Sequence, residues 1–259
     1  MAKPKVALVE VFAAPQGEGY NTGRWAIFVR LAGCPLACEF APGVVCDTPY
    51  MKANLKVTLD ELFLEIILPL TQDWQLREHC QTREEVPMII FTGGEPTAAP
   101  QFDALVARAY HLSDPKFYIA IETNGTTWKN CFQLVDWISV SPKEDVAQTS
   151  SATAHNPHPQ QSTTLDAQLI GMMALRGSTS DGQGAEYRYV IAAESPTPPY
   201  RLATRHYLSP AVVSDGSGEE WHKGFPGFAP GAVTRCLDIV ANDPRWRISI
   251  QMHKVIGVR

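Results

Sequence analysis

Short apolar runs rich in β-branched residues recur along this chain, and they alternate with segments that have helical spacing. Runs with the composition of buried strands occupy residues 5–12, 25–31, 86–91, 117–121 and 186–193. Strands that alternate with helices predict a parallel sheet with crossover helices packed against it. The pattern therefore places the chain in the α/β class.

The loops that follow these strands have unusual compositions. They are a loop with three cysteines at 34–50, TGGEP at 92–96, ETNG at 122–125 and SPK at 141–143. Catalytic groups of parallel α/β folds lie at the carboxyl ends of the strands, so these loops predict a single active face. The recurrence is what an abbreviated (β/α) barrel would show, and 259 residues is close to the usual barrel length.

Three segments have the spacing of amphipathic helices. One begins at Thr58, and the others occupy residues 102–110 and 233–240. The first opens with Thr-Leu-Asp-Glu, which predicts a capping box between Thr58 and Glu61.

After residue 143 the alternation weakens. Residues 148–184 are rich in Ser, Thr, Gln, His and Gly around one apolar patch, and we expect a variable insertion with some helix there. Residues 196–230 are rich in Pro and Gly, and residues 247–255 have the composition of a last strand. We expect one domain over residues 1–259 with the insertion inside it.

Charge and hydropathy exclude several classes of protein. Lys and Arg number 22 against 27 Asp and Glu, a net charge of −5 without the basic field of nucleic-acid-binding proteins. The longest apolar stretch, 62–70, contains Glu65 and is far shorter than the ~18 residues of a membrane helix. Residues 1–12 lack the features of a signal peptide. We expect a cytoplasmic protein with no membrane or nucleic-acid partner.

Three of the six cysteines are clustered. Cys34, Cys38 and Cys46 lie on one loop, whereas Cys80 and the remaining two are scattered. Three thiolates can hold three irons of a [4Fe–4S] cluster and leave the fourth iron open to another ligand. A zinc site with a remote fourth ligand, or plain buried thiols, fits the loop equally well.

The TGGEP segment is a second candidate site. Gly93 and Gly94 allow the backbone to approach a ligand closely, and Glu95 can accept hydrogen bonds from an ammonium group. An ordinary Gly-Gly turn is the alternative.

Taken together, the cysteine loop and the GGEP segment resemble the radical S-adenosylmethionine superfamily. Within it, the chain is most similar to the 7-carboxy-7-deazaguanine synthases of queuosine and deazapurine biosynthesis. The motifs that carry this resemblance lie at residues 11–19, 25–33, 46–48 (CDT), 92–96, 122–126 (ETNGT), 141–143 and 251–254 (QMHK).

The resemblance implies a reaction and its cofactors. In this family a reduced [4Fe–4S] cluster cleaves S-adenosylmethionine, and the resulting radical takes hydrogen from C6 of 6-carboxy-5,6,7,8-tetrahydropterin. The ring contracts and ammonia leaves, so the enzyme is a carbon–nitrogen lyase. The family also implies Mg²⁺, a reductase or flavodoxin-type electron donor, and a homodimer of abbreviated (β/α) barrels.

The resemblance also implies roles for individual residues. The cluster ligands would be Cys34, Cys38 and Cys46, and Thr48 would bind Mg²⁺. The contacts with S-adenosylmethionine would come from Val45, Cys46, Asp47, Gly93, Gly94, Glu95, Ser141, Pro142 and Lys143. The substrate contacts would come from Pro15, Gln16, Gly17, Glu18, Arg30, Thr92, His253 and Arg259. In this set Arg30 is suited to a bidentate hold on the 6-carboxylate.

Two features depart from the family pattern. The cysteine spacing is C-x3-C-x7-C, with five residues more than the common C-x3-C-x2-C, and Val45 stands where an aromatic residue often precedes the third cysteine. The alternatives are another radical S-adenosylmethionine enzyme such as an activase, a non-catalytic iron–sulfur or zinc module, and tight RNA binding, which the acidic charge disfavours.

Overall fold

One large mixed sheet organises the protein. The computed structural model describes residues 3–48, 50–75, 88–112, 117–148, 162–176, 184–201, 205–213 and 227–257. The strands are β1 (Lys5–Pro15), β2 (Trp25–Leu31), β3 (Cys38–Ala41), β4 (Val44–Val45), β5 (Leu55–Thr58), β6 (Met88–Gly93), β7 (Tyr118–Thr123), β8 (Trp137–Val140), β9 (Ala147–Gln148), β10 (Gly184–Ile191), β11 (Arg205–Pro210) and β12 (Trp246–Ile248). The α-helices are α1 (Leu68–Gln75), α2 (Phe102–Leu112), α3 (Ala167–Arg176), α4 (Ala232–Asn242) and α5 (Met252–Val255).

The large sheet has nine strands in the order β12-β11-β10-β8-β7-β6-β2-β1-β5. Neighbouring strands from β12 to β2 are parallel, whereas β1 pairs antiparallel with both β2 and β5. The remaining strands form a small sheet, β4-β3-β9. The α/β class with a largely parallel sheet is therefore confirmed.

Both faces of the central strands are buried, which explains their continuous apolar sequences. One face packs with the helices into the main core, to which Ile89, Phe91 and Phe102 belong. The other face forms a second cluster that includes Phe28 and Ile90. None of the helices in the described ranges is long and apolar enough to cross a membrane.

The capping box at Thr58 is confirmed, because its hydrogen bonds are reciprocal. The Thr58 backbone N–H donates to Glu61 Oε2 at 2.7 Å, and the Glu61 N–H donates to Thr58 Oγ1 at 3.3 Å. The first helical segment, Glu61–Ile67, is a π-helix that continues directly into α1.

Two predictions about the second half of the chain were wrong in part. The Pro- and Gly-rich stretch contains β11, which composition did not indicate. The predicted last strand ends at Ile248 and gives way to α5. The chain leaves the sheet there because Met252 N–H donates to Gly17 O at 3.1 Å, which turns the segment across the strand ends.

The described part of the expected insertion contains α3, which lies between β8 and β10 in the chain. Leu169 and Met173 of this helix belong to the main core, and Asp166 N–H donates to Gly125 O at 2.9 Å. The helix thus has the position of a crossover helix between two parallel strands. Residues 149–161 and 177–183 lie outside the described residues.

Candidate active site

A cavity of about 370 Å³ opens at the carboxyl ends of the parallel strands. Its wall is formed by the ends of β2, β6, β7 and β11, by β1, by the cysteine loop and by α5. The prediction of one active face at the strand ends agrees with this arrangement.

Most of the residues predicted from the sequence line this one cavity. They are Pro15, Gln16, Glu18, Arg30, Cys34, Cys38, Val45, Cys46, Asp47, Thr48, Thr92, Gly93, Gly94, Ser141, Lys143 and His253. Gly17 lies against the lining, since a Cβ added there would meet His253 Nδ1 at 2.0 Å. Pro142 lines a separate small pocket, and Arg259 lies outside the described residues.

The long spacing between the second and third cysteines folds into a hairpin. β3 and β4 pair antiparallel, with Gly43 at φ +78° in the turn and its N–H donating to Glu39 Oε1 at 2.9 Å. The hairpin returns Cys46 to Cys38, whose carbonyl accepts from the Cys46 N–H at 3.1 Å. The extra residues therefore do not separate the two cysteines.

Burial is the main influence on the pKa of the Cys34 thiol. It raises the pKa of Cys34 to about 12, with a smaller opposing effect from the Leu36 N–H and added repulsion from neighbouring Glu95 and the other two cysteines. The Cys34 thiol is therefore protonated in the metal-free protein, and its binding to a metal centre must release a proton.

Three thiols on one cavity wall fit a [4Fe–4S] cluster, because each ligand binds its own iron. Among the described residues no three His, Cys, Asp or Glu side chains converge closely enough to hold a single metal ion. Lys143 is close enough to the three thiols that thiolate charges would favour its ammonium form, although burial lowers its pKa overall.

Glycine is required at both central positions of TGGEP by contacts within the chain. Gly93 has φ +134°, and a Cβ there would lie 2.2 Å from Leu31 O. A Cβ at Gly94 would lie 2.0 Å from Gly33 O. The end of β6 thus packs directly on the backbone that leads into the cysteine loop.

Glu95 is not among the residues that line the cavity, and its carboxylate accepts four hydrogen bonds from the protein. It accepts from Thr97 N–H at 3.1 Å, Thr97 Oγ1 at 2.6 Å, Thr123 Oγ1 at 2.7 Å and Asn124 N–H at 2.7 Å. The side chain thus connects the end of β6 to β7. Its partners are protein groups, whereas the sequence suggested the ammonium group of a ligand.

A buried ionic network forms the floor of the cavity. Glu122 accepts from Arg188 Nη2 at 2.9 Å, Gln16 Nε2 at 3.1 Å and Thr92 Oγ1 at 2.8 Å. Arg188 Nη1 lies 3.8 Å from Glu18 Oε2. Burial alone would raise the pKa of Glu122, but Arg188 and these hydrogen bonds hold it at about 2.

Glu18 differs from Glu122. Burial raises its pKa, and the charge of Arg188 and the hydrogen bond from Ser209 only partly oppose the effect. The pKa values of these two carboxylates are thus shifted in opposite directions, and Glu122 is the one that stays ionised.

Sequence reasoning missed Glu122 and Arg188 as site residues. The ETNG motif marks a strand-end loop and belongs to the family resemblance, but neither observation assigns a role to Glu122, and Arg188 lies within a run of strand composition. A charged residue in the middle of EYRYVIAA was the available signal, since such residues are rarely buried without a partner.

Three polar atoms on lining residues are buried and have no hydrogen-bond partner in the described part of the chain. They are Asn124 Nδ2, Arg188 Nη1 and Gln251 Oε1. Because buried polar atoms are nearly always paired, these atoms are suited to hydrogen bonds with a bound ligand.

Helix α5 lines one side of the cavity through His253 and Lys254. Lys254 forms an ion pair with Asp47 of the cysteine loop, and His253 lies against Gly17. Burial lowers the pKa of His253, and the neighbouring Lys254 lowers it further. The neutral imidazole is therefore the favoured form at this wall.

Comparison with curated proteins finds relatives along nearly the whole chain. The 7-carboxy-7-deazaguanine synthase of Bacteroides thetaiotaomicron is 28% identical over 250 residues, covering 96% of this chain and 97% of the relative. That of Haemophilus influenzae is 28% identical over 256 residues, covering 99% and 95%. That of Neisseria meningitidis serogroup B is 35% identical over 140 residues, 54% of each chain.

The fold also has a counterpart among solved structures. The crystal structure of QueE from Escherichia coli superposes with a TM-score of 0.54 at 20% identity and covers 96% of this chain and 95% of that one. No family model matches the sequence. The resemblance to this family is thus confirmed as a similarity over nearly the whole chain to proteins named 7-carboxy-7-deazaguanine synthase.

Proposed function

We propose that this protein converts 6-carboxy-5,6,7,8-tetrahydropterin to 7-carboxy-7-deazaguanine and ammonia as a radical S-adenosylmethionine enzyme. Curated relatives with this name align over almost the entire chain. The observation that carries the proposal is one cavity lined by the three clustered cysteines together with Gln16, Glu18, Arg30 and His253.

Cys34, Cys38 and Cys46 would hold the [4Fe–4S] cluster. When bound, the cluster and S-adenosylmethionine supply the one-electron chemistry that removes a hydrogen atom from the substrate. Gly93, Gly94 and the segment from Ser141 to Lys143 stand beside the cysteine loop and would hold S-adenosylmethionine. Ser141 O and Lys143 Nζ are already 2.8 Å apart, which fixes that turn.

The ionic network on the floor would bind the pterin. Glu122 is held as an anion and can accept from ring N–H groups, while Gln16 and Thr92 maintain its orientation. Arg30 stands apart from this network, paired with Glu10, and would bind the 6-carboxylate. The two ends of the substrate would thus be recognised by opposite charges.

Thr48 would bind Mg²⁺. Its side chain lines the cavity, and a hard cation that keeps several waters needs only one or two protein oxygens when the substrate supplies others. The neighbouring Asp47 is occupied by Lys254, which leaves the hydroxyl as the protein ligand.

The finer architecture belongs to the same proposal. A curled sheet, forming a partial (β/α) barrel in a single domain, would allow β1 and β11 to line one cavity although they are six strands apart in the sheet order. A cytoplasmic homodimer that receives electrons from a reductase or flavodoxin-type donor follows from the family resemblance alone.

An anaerobic mass-spectrometric assay tests the function. The protein is reconstituted with iron and sulfide and supplied with dithionite, Mg²⁺, S-adenosylmethionine and 6-carboxytetrahydropterin. We expect 7-carboxy-7-deazaguanine and 5′-deoxyadenosine from the wild type and neither from Cys46→Ala. Cys236→Ala is the matched control, because this thiol lies in the main core away from the cavity.

Two outcomes would contradict the proposal in different ways. Deoxyadenosine without the deazaguanine would keep the radical chemistry and reject the pterin substrate. Neither compound, from protein with full iron and sulfide content, would reject the cluster function of the hairpin-shaped loop.

A further inference from the structure

The ion pair between Glu10 and Arg30 is separate from the ionic network around Arg188. Both side chains line the cavity and are about one-fifth exposed, at 22% and 21%. Glu10 Oε1 accepts from Arg30 Nε at 3.1 Å. The Glu10 carboxylate is therefore next to the arginine that would bind the 6-carboxylate of the substrate.

A β-bulge places Glu10 on the cavity side of the sheet. Leu8 pairs with Leu31 and Glu10 pairs with Arg30, so two steps along β1 correspond to one step along β2. Because a shift of one residue turns side chains to the opposite face, Leu8 lies in the main core while Glu10 faces the cavity. Bulges commonly re-aim side chains near functional sites.

The contact at Nε determines which edge of the guanidinium remains available. Arginine has five N–H donors, one on Nε and four on the Nη atoms. Glu10 occupies the Nε side, and Arg30 makes no other hydrogen bond or ion pair within the described ranges. Among the described residues, the edge formed by Nη1 and Nη2 therefore has no hydrogen-bond partner, and that edge can hold a carboxylate through two parallel hydrogen bonds.

Aromatic packing restricts the same guanidinium from one side. Arg30 Cζ lies 5.9 Å from the centre of the Phe12 ring, and Phe12 stacks on Phe28 with ring centres 5.0 Å apart. Phe12 pairs across the strands with Phe28 as Glu10 pairs with Arg30. The two neighbouring cross-strand pairs, Glu10–Arg30 and Phe12–Phe28, thus limit the position and the tilt of the Arg30 guanidinium.

We infer that Glu10 is a positioning residue, which holds Arg30 through Nε so that its outer edge faces the carboxylate of the substrate. The inference deepens the proposed function and rests on it. Glu10 itself would not touch the substrate, since its charge repels a carboxylate. Its effect would be confined to ligands that carry the carboxylate.

The test compares two ligands on the cluster-containing protein under anaerobic conditions. One is 6-carboxytetrahydropterin, and the other is tetrahydropterin without the carboxyl group. Dissociation constants are measured by calorimetry for the wild type, Glu10→Ala, Glu10→Gln and Arg30→Ala, together with KM and kcat for the carboxylated substrate. Glu65→Ala is the matched control, because Glu65 is an exposed carboxylate outside the cavity.

We expect Glu10→Ala to weaken binding of the carboxylated ligand roughly tenfold, the scale of one hydrogen bond to a charged group. The ligand without the carboxyl group should bind Glu10→Ala within about twofold of the wild type. Glu10→Gln keeps an oxygen acceptor for Nε and should recover part of the loss. The Glu10→Ala change should appear in KM more than in kcat.

Three results would overturn the inference. Equal weakening for both ligands would mean that Glu10 only supports the fold. Unchanged binding in Glu10→Ala, with a large loss in Arg30→Ala, would mean that Arg30 needs no positioning. A wild type that binds neither ligand would reject the proposed function itself, and the inference with it.

Discussion

Removal of the Arg188 guanidinium should leave three largely buried carboxylates without their common cation. Glu18, Glu122 and Glu186 all interact with it electrostatically, and its side chain is only 9% exposed. The pKa of Glu122 is held at about 2 against an ordinary 4.5, a difference that corresponds to about 3 kcal/mol of stability. Loss of one partner from a buried ion pair costs a similar amount, roughly 3–5 kcal/mol.

We therefore predict that Arg188→Met lowers the free energy of unfolding by about 3 kcal/mol at pH 7. For a chain of this size the melting temperature should fall by roughly 6–12 °C. The assay is scanning calorimetry between pH 5 and 8, at equal cluster content. The control is Arg245→Met, which removes an arginine that is 60% exposed and paired with Asp243, and exposed pairs contribute at most about 1 kcal/mol.

The pH dependence has a definite sign. In the wild type the low pKa of Glu122 adds stability above its ordinary value of 4.5, and that stability is lost as the pH falls towards about 2. In the variant, burial raises the pKa instead, so the carboxylate favours the folded state only when protonated. The deficit should be largest at pH 8 and smaller at pH 5. A deficit that does not vary with pH, or one no larger than that of Arg245→Met, would refute the argument.

Three further substitutions separate local effects from effects on the site. Gly94→Ala should reduce deoxyadenosine formation, measured by mass spectrometry, at least tenfold, because its Cβ would lie 2.0 Å from Gly33 O. The control is Gly171→Ala, whose Cβ would meet nothing within 4 Å and which should leave activity intact. Glu95→Ala should lower stability in urea by roughly 3 kcal/mol, since it orphans four hydrogen-bond donors; an unchanged midpoint would contradict the role given to this carboxylate. Thr58→Ala should cost about 1 kcal/mol through loss of the cap without changing turnover, and a change in turnover would show that the helix start influences the cavity.

Local patterns determined several strands of the large sheet and the start of the first helical segment. The strand at 25–31 was predicted with the bounds that the structure has, because an unbroken apolar run is unusual outside a strand buried on both faces. The capping box at Thr58 was predictable because its two hydrogen bonds join residues only three positions apart. The last strand was overextended because residues 249–255 have strand composition but are held by the contact between Met252 and Gly17, 235 positions away along the chain.

The candidate residues were also identifiable from the sequence, whereas their partners were not. Short motifs located Cys34, Gly94 and Arg30 because each lies in a loop or strand end with unusual composition. Nothing local in the sequence indicated that Glu122 meets Arg188, 66 positions later, or that Glu95 bonds to Thr123 and Asn124. Those pairings depend on which strands become neighbours, and only the folded sheet sets that.

The cysteine loop shows most clearly what the sequence determined and what the tertiary structure decided. The sequence by itself determined three thiols with an unusual spacing, and it left open whether the third could join the other two. Tertiary structure decided where Cys46 lies relative to Cys38, because the hairpin between them returns Cys46 to the backbone of Cys38. Where a turn brings two segments back together, the number of residues between two positions does not set the distance between them. Here backbone hydrogen bonds across the hairpin hold Cys38 and Cys46 side by side.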